Sequence, residues 1–238
     1  MTQMVFFPHA GGFAAGYLHL ASQLEKASRG RLKTLVYEYA GRGRQAREPE
    51  YTDFSDAVSR ITKDLTAHFF DGSEIIFFGH SMGTYVALET AYALRRMYGV
   101  YPKQMFLSGQ SGPYHEPDFN HEMTDEEGIA YLRALGGTSE EILSNPAFYN
   151  KLYSYVKKDI TMLDRYDAAT RSVKLDSDLY IMNGKRDPEL KEDRLPLWQE
   201  ITTGACEIRM FSGGHFYINE NPEEVTEYLN SKMKGILH

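Results

Sequence analysis

The amino-acid sequence predicts an α/β domain with a mostly parallel central sheet that is interrupted by a helical insertion. Up to about residue 111, the chain alternates short apolar runs typical of strands with amphipathic runs typical of helices, which is the βαβ pattern. The alternation stops between residue 112 and about residue 170, where several helix starts occur without a strand-like run. Strand-like runs resume at 178–184 and 206–211. We therefore expect one domain over residues 1–238, with a helical subdomain at about 112–170.

The individual elements follow from local patterns. Strands are predicted at 4–7, 32–39, 74–78 and 103–109, and helices at 14–27, 53–69 and 82–98. The helix at 53–69 has one buried stripe, formed by Phe54, Ala57, Val58, Ile61, Leu65 and Phe69. In the insertion, Thr124 with Glu127 forms a capping-box pattern, and Asn145 with Pro146 opens a further helix. A last helix is expected to begin at Asn221.

Composition and charge narrow the class of protein. The net charge of −7 argues against a nucleic-acid-binding protein, because such domains are usually basic. A single cysteine, Cys206, rules out disulfide frameworks and CxxC metal or redox sites. No uncharged apolar stretch reaches about 18 residues, and the N-terminus lacks the features of a signal peptide. We expect a monomeric cytoplasmic protein that binds neither nucleic acid nor membrane.

The segment GHSMG at 79–83 places a polar serine, Ser81, between a buried strand and a helix. This GxSxG pattern is typical of a nucleophilic serine on a tight turn, where the flanking glycines let the neighbouring backbone pass closely. The alternative interpretation is a serine that caps the helix. The similar segment GQSGP at 109–113 is excluded, because Pro113 occupies the second glycine position and no helix pattern follows.

A serine nucleophile needs a base and an acid, which follow it in the order Ser, acid, His in this kind of fold. His215 lies in a glycine loop after the strand 206–211, and we predict it as the base, the alternative being an ordinary loop histidine. The other histidines after Ser81 are His115 and His121 in the insertion and His238 at the end of the sequence.

Asp187 is the predicted acid, because it follows the strand 178–184 directly and precedes His215. Its alternative role is to cap a helix beginning at Pro188. Other carboxylates are less well placed: Asp176 and Asp178 lie at the start of that strand, and Asp164 and Asp167 qualify only if the insertion folds back.

The tetrahedral intermediate of acyl transfer requires two backbone N–H donors for its oxyanion. One is predicted to be Met82, the residue after the nucleophile. The other is expected from the loop at 6–13, whose small residues allow close backbone approach. Ala10 is preferred and Gly11 is the alternative, whereas His9 is interpreted as structural.

Several segments resemble, in order and spacing, the type II thioesterases, which are stand-alone editing enzymes of nonribosomal peptide and polyketide synthesis: FFPHAGG, YAGRGRQAREP, FFGHSMG, MTDEEGIAYLRALGGTSEEIL, NGKRDP and SGGHFYI. The resemblance spans nearly the whole chain and implies the α/β-hydrolase fold, a helical lid, and Ser81, Asp187 and His215 as nucleophile, acid and base. It implies hydrolysis of short or aberrant acyl groups from the phosphopantetheine arm of carrier proteins. No metal or cofactor is expected beyond the arm that the substrate carries. Ala40 stands where the family usually has proline.

The resemblance also suggests where substrate and partner bind. Leu132, Leu135 and Phe148 are predicted to bind the acyl group, as part of an apolar stripe that is otherwise ordinary helical core. The full stripe is Tyr131, Leu132, Leu135, Ile142, Leu143, Phe148, Leu152 and Tyr155. For an acidic carrier protein, the candidate docking residues are Arg42, Arg44 and Arg47, unless that loop is simply solvated. Two alternative functions stay open, a small-molecule carboxylesterase and a non-catalytic carrier-binding module.

Overall fold

The computed structural model describes residues 1–117, 119–166 and 173–237, and these ranges contain one six-stranded sheet in which each neighbouring pair is parallel. The strands in chain order are β1 (Thr2–Phe7), β2 (Leu32–Val36), β3 (Ile75–His80), β4 (Gln104–Ser108), β5 (Asp178–Gly184) and β6 (Cys206–Phe211). Across the sheet they lie in the order β2-β1-β3-β4-β5-β6. The predicted parallel α/β fold is therefore confirmed.

Helices cover both faces of this sheet. The first flanking helices are α1 (Leu18–Ser28), α2 (Phe54–His68) and α3 (Met82–Tyr98). Two more follow β6, the short α7 (Tyr217–Glu220) and α8 (Pro222–Met233). The helices numbered between α3 and α7 belong to the insertion described below. Because successive side chains of a strand point to opposite faces, Met4 and Phe6 pack in the core on the side of α1 and α8. Val5 and Phe7 pack in the core on the side of α2 and α3.

The helical insertion lies between β4 and β5 and contains α4 (Asp125–Leu135), α5 (Glu140–Leu143) and α6 (Pro146–Asp164). The predicted capping box is present, since Thr124 and Glu127 each bond the other's backbone N–H. Asn145 caps α6 as predicted, accepting hydrogen bonds from the first-turn amides. The insertion has a small core of its own, formed by Leu132, Leu143, Tyr149, Tyr153 and Val156. Asp167 and Thr170 lie outside the described residues.

Two segments differ from the sequence-based expectation. The strand predicted at 32–39 ends at Val36, because its partner β1 ends at Phe7 and the parallel register ends with it. The helix expected to start at Pro188 does not form, and a 3-10 helix over Glu192–Ile201 follows instead, with Pro196 inside it. Proline lacks the N–H that an α-helix interior needs, so this segment turns without α-helical geometry.

Within residues 1–117, 119–166 and 173–237, no helix combines the length and the apolar character needed to cross a bilayer.

Candidate active site

Ser81 occupies a strained turn between β3 and α3. Its φ of 55° lies in the left-handed region, which non-glycine residues adopt rarely and at an energetic cost. The flanking glycines are required by close packing: a Cβ on Gly79 would collide with the carbonyl of Gly83, and a Cβ on Gly83 with that of Phe7. The side chain of Ser81 makes no capping bond to α3, which argues against the helix-cap alternative. The structure therefore leaves this hydroxyl available for another task.

The turn is held from the neighbouring strand by residues that the sequence did not single out. The Ser81 N–H donates to the Ser108 carbonyl at 2.8 Å. The Thr84 hydroxyl, in the first turn of α3, lies 2.9 Å from the same carbonyl and 3.0 Å from that of Gly79. These bonds fix the backbone around Ser81, the candidate nucleophile. The sequence signals them only through Thr84, a polar residue within an otherwise apolar helix face.

His215 and Asp187 form a buried hydrogen-bonded pair. Nδ1 of His215 lies 2.7 Å from Oδ2 of Asp187, and both side chains are only 2% exposed. The pair forms because β5 and β6 are parallel neighbours, so the loops that follow them emerge at the same edge of the sheet. Donation of the Nδ1 proton to the carboxylate leaves Nε2 as the acceptor, the tautomer that a general base requires.

The pair also sets the protonation behaviour of His215. Burial by itself lowers the pKa of this imidazole, but the hydrogen bond and the negative charge of Asp187 outweigh it, so that the pKa is raised above the ordinary value of 6.5.

If His215 is the base, activity should follow the raised pKa of its imidazole. Only the neutral ring accepts a proton, so we expect kcat/KM for a thioester to rise with pH along a limb centred above 6.5. The measurement is a kcat/KM profile between about pH 5 and pH 9 with correction for spontaneous hydrolysis. A limb centred below the ordinary histidine value would contradict the assignment.

The two candidate oxyanion donors meet Ser81 at one cavity. Met82 is the first residue of α3, and first-turn amides of a helix have no carbonyl partner within the helix. Ala10 lines the same cavity from the loop after β1. The amide of Gly11, the alternative donor, is already engaged, because it donates to Oδ2 of Asp159 at 2.8 Å. Of the two donors considered for that loop, the structure thus favours Ala10.

Two further histidines pack near His215 but are kept neutral. His9 hydrogen bonds the Tyr17 hydroxyl at 2.7 Å, and burial, with the nearby charges of His215 and Arg42, lowers its pKa to about 3. Burial likewise holds the pKa of His80 well below its ordinary value, with a smaller contribution from His215. His80 bonds Ser108 at 2.9 Å. Both imidazoles are therefore much weaker bases than that of His215.

Asp164, an alternative acid, is engaged elsewhere. Its two carboxylate oxygens bond His115 at 2.5 Å and His121 at 2.7 Å, which ties the loop after β4 to the end of α6. Asp164 therefore has partners other than His215, although His115 does reach the wall of the cavity. Asp167, the other alternative, lies outside the described residues, as does His238.

The cavity that contains Ser81 and His215 is walled on one side by the helical insertion. Its apolar wall includes Leu132 and Leu135 from α4 and is extended by Tyr131, Leu152, Val156, Ile160 and Leu163. Phe148 is a correction to the predicted set: it is 55% exposed and absent from the lining. It sits one helical turn before Leu152, beyond the point at which α6 borders the cavity.

Arg42 is a second correction, this time to the predicted docking set. Its side chain is buried, with the residue 3% exposed, and it forms a bidentate ion pair with Asp159 at 2.6 and 2.7 Å. A buried, paired guanidinium cannot meet a partner protein. Arg44 and Arg47 of the same loop are exposed.

No group of three or more His, Cys, Asp or Glu side chains in the described part of the chain has the arrangement of a metal site.

A parallel sheet with a strained serine after its third strand, and a His–Asp pair after its last two strands, defines an α/β hydrolase. The chain belongs to the thioesterase family, because the family model of the thioesterase domain matches residues 2–233. It is accordingly a thioester hydrolase.

Individual relatives agree with this assignment. Thioesterase PikA5 of Streptomyces venezuelae is 29% identical over 233 residues, covering 98% of this chain and 81% of that protein. The medium-chain S-acyl fatty acid synthase thioesterase of Rattus norvegicus is 30% identical, covering 92% and 84%. Among solved structures, the type II thioesterase BorB from the borrelidin biosynthetic cluster has a TM-score of 0.83 at 26% identity, covering 98% and 93%. The resemblance to type II thioesterases is thereby confirmed.

Proposed function

We propose that this protein is an editing thioesterase of the cytosol, which removes short or aberrant acyl groups from the phosphopantetheine arm of carrier proteins in a nonribosomal peptide or polyketide pathway. The observation that carries the proposal is that the strained Ser81 lines the same cavity as His215, which is paired with the buried Asp187. The similarity to the type II thioesterase BorB of the borrelidin biosynthetic cluster supports the choice of pathway.

The proposed chemistry is acyl transfer through Ser81. The Ser81 hydroxyl attacks the thioester carbonyl while Nε2 of His215 takes its proton, and the amides of Met82 and Ala10 hold the oxyanion. Collapse of the tetrahedral intermediate breaks the C–S bond, and the proton passes from His215 to the leaving thiol. Water then attacks the acyl-serine with His215 again acting as the base, which releases the carboxylic acid and restores Ser81. No metal or cofactor is needed in these steps.

The helical insertion is proposed to act as a lid that binds the acyl group, within a single domain. Leu132 and Leu135 would contact the acyl chain, in place of the larger set expected from the sequence. The cavity has a volume of about 90 Å³, several times the space that one water molecule needs. A short acyl chain therefore fits in it.

The carrier protein is proposed to dock near the loop that contains Arg44 and Arg47. Both side chains are exposed, and they provide positive charge on a protein whose net charge is −7. Local positive charge of this kind favours encounter with an acidic partner that the net charge would otherwise repel.

Carrier attachment should raise catalytic efficiency. We expect acetyl-phosphopantetheine on a carrier protein to be hydrolysed with a higher kcat/KM than acetyl-pantetheine, because binding energy from the carrier helps to orient the carbonyl. Arg44→Glu and Arg47→Glu should raise KM for the carrier substrate only, as measured by intact-mass assays. The matched control is Arg96→Glu, the same charge change at the far end of α3.

The outcomes of this comparison separate the candidate functions. Equal efficiency on both substrates, or faster cleavage of simple oxygen esters, would favour a small-molecule carboxylesterase. A folded protein whose Ser81 is not labelled by a fluorophosphonate would favour the non-catalytic carrier-binding module. If the enzyme still prefers the carrier substrate after both arginine changes, the proposed docking surface is wrong, and the exposed face of α6 becomes the next candidate.

A further inference from the structure

The loop after β1 that carries Ala10 is built directly against helix α6 of the insertion. Asp159, in the penultimate turn of α6, accepts the Gly11 N–H through Oδ2 at 2.8 Å. Gly11 has a φ of 72°, and a Cβ there would collide with the side chain of Val156. The backbone of the loop therefore rests on α6, one residue away from the proposed oxyanion donor.

Arg42 joins this contact from the loop after β2. Its Nη1 and Nη2 atoms bond the two oxygens of Asp159 at 2.7 and 2.6 Å, and Nη1 also lies 3.4 Å from the carbonyl of Gly12. The guanidinium is stacked near the rings of Tyr39 and Tyr155, at 5.5 and 4.9 Å from their centres. The Tyr39 hydroxyl in turn donates to the carbonyl of Pro8 at 2.8 Å. Both members of this buried charge pair thus contact the loop after β1, Asp159 at the Gly11 N–H and Arg42 at the Gly12 carbonyl.

Such a pair is costly to bury, because both ions lose their water. Two features reduce this cost: the ion pair is bidentate, and Asp159 also accepts a hydrogen bond from the Gly11 N–H. A pair used only to attach α6 to the sheet would not need to bond a loop amide next to Ala10. Because the pair bonds the Gly11 N–H and the Gly12 carbonyl, we infer that it holds the loop after β1 in position.

We propose that Asp159, held by Arg42, is a positioning residue that occupies the Gly11 amide and so orients the neighbouring Ala10 amide toward the oxyanion site. The competence of the oxyanion hole then depends on α6 being seated, because removal of α6 takes the acceptor of Gly11 with it. This inference rests on the proposed serine mechanism. It adds to that mechanism a residue, Asp159, that positions one of the two oxyanion donors.

The test is Asp159→Asn, which keeps the shape of the side chain but loses its charge and one acceptor oxygen. Because a displacement of about 1 Å can cost 100-fold in rate, and loss of one donor about 100- to 1,000-fold, we expect kcat to fall roughly 10- to 100-fold with KM changed less than about twofold. The inhibition constant of a trifluoromethyl ketone, which forms a tetrahedral adduct with serine, should rise by the same factor as kcat/KM falls.

The matched control is Glu140→Gln. Glu140 also forms a bidentate pair with an arginine of the insertion, Arg133, at 2.6 and 2.9 Å, but this pair is exposed and neither residue lines the cavity. The Glu140→Gln variant should therefore have the wild-type kcat and the wild-type inhibition constant. A folded Asp159→Asn protein with wild-type values of both would overturn the inference while leaving the serine mechanism intact. An unlabelled wild-type Ser81 would instead overturn the mechanism itself.

A measurement on the wild-type protein covers the case in which the variant does not fold. In a ¹⁵N–¹H spectrum, the trifluoromethyl ketone should shift the amide resonances of Ala10 and Met82 and leave that of Gly11 nearly in place, since Gly11 stays bonded to Asp159. A large shift of Gly11 with none at Ala10 would overturn the proposal.

Discussion

Ser81→Ala is expected to lower kcat for thioester hydrolysis by roughly a millionfold. The reason is that, among the residues that the structure describes, Ser81 carries the only hydroxyl on a strained turn at the cavity that His215 and the proposed oxyanion donors line. The fold should be retained, because the Ser81 side chain makes no capping bond and alanine is tolerated at this φ about as poorly as serine. The measurements are steady-state hydrolysis of an acetyl thioester and a thermal melt of both proteins.

The same experiment has a direct chemical readout. Intact-mass analysis of a rapidly quenched reaction should show an acyl adduct on the wild-type protein and none on the Ser81→Ala variant. His215→Ala should be as inactive as the serine variant, since members of such a unit do not contribute additively. Retention of a substantial part of the activity by Ser81→Ala would show that thioesters are cleaved without this nucleophile.

Asp187→Asn is expected to lower kcat by roughly 10⁴-fold. An amide in place of the carboxylate would favour the wrong tautomer of His215, and it would remove the charge that raises the pKa of His215. The remaining activity should therefore follow a pH limb that lies lower than in the wild-type protein. This shift distinguishes loss of the acid from a general loss of structure, which would lower the rate without moving the limb.

The matched control for Asp187→Asn is Asp164→Asn. Asp164 is also a largely buried carboxylate bonded to histidine, but its partners are His115 and His121. We expect a much smaller effect on kcat and no movement of the pH limb. Near wild-type activity of Asp187→Asn, together with a large loss for Asp164→Asn, would reverse the assignment of the acid.

The parts of the site that the sequence could indicate depend on local chain order. A strand, a GxSxG turn and a helix are consecutive in the chain, so Ser81 could be placed on its turn without knowledge of the tertiary structure. The ends of parallel strands share one edge of the sheet, so His215 and Asp187 could be expected to meet there, as they do. Their catalytic roles stay predictions until the variants are measured.

The parts that sequence reasoning missed depend on long-range packing. Arg42 and Asp159 are 117 positions apart, and nothing near Arg42 distinguishes it from the exposed Arg44 and Arg47. Phe148 belongs to the same apolar stripe as Leu152, but where the cavity ends along α6 is set by the surrounding elements. Periodicity shows which residues share a helix face and does not show what lies opposite it.

The order of the contributing loops along the chain has a consequence for biosynthesis. Ala10 follows β1 and Ser81 follows β3, whereas His215 comes only after β6, the last strand and an edge of the sheet. At translation rates of about 5–20 residues per second, His215 is made on the order of ten seconds after Ser81. If His215 is the base, a nascent chain that ends before β6 carries an unactivated serine, and we expect thioester cleavage only after β6 and the loop that follows it have been made and folded.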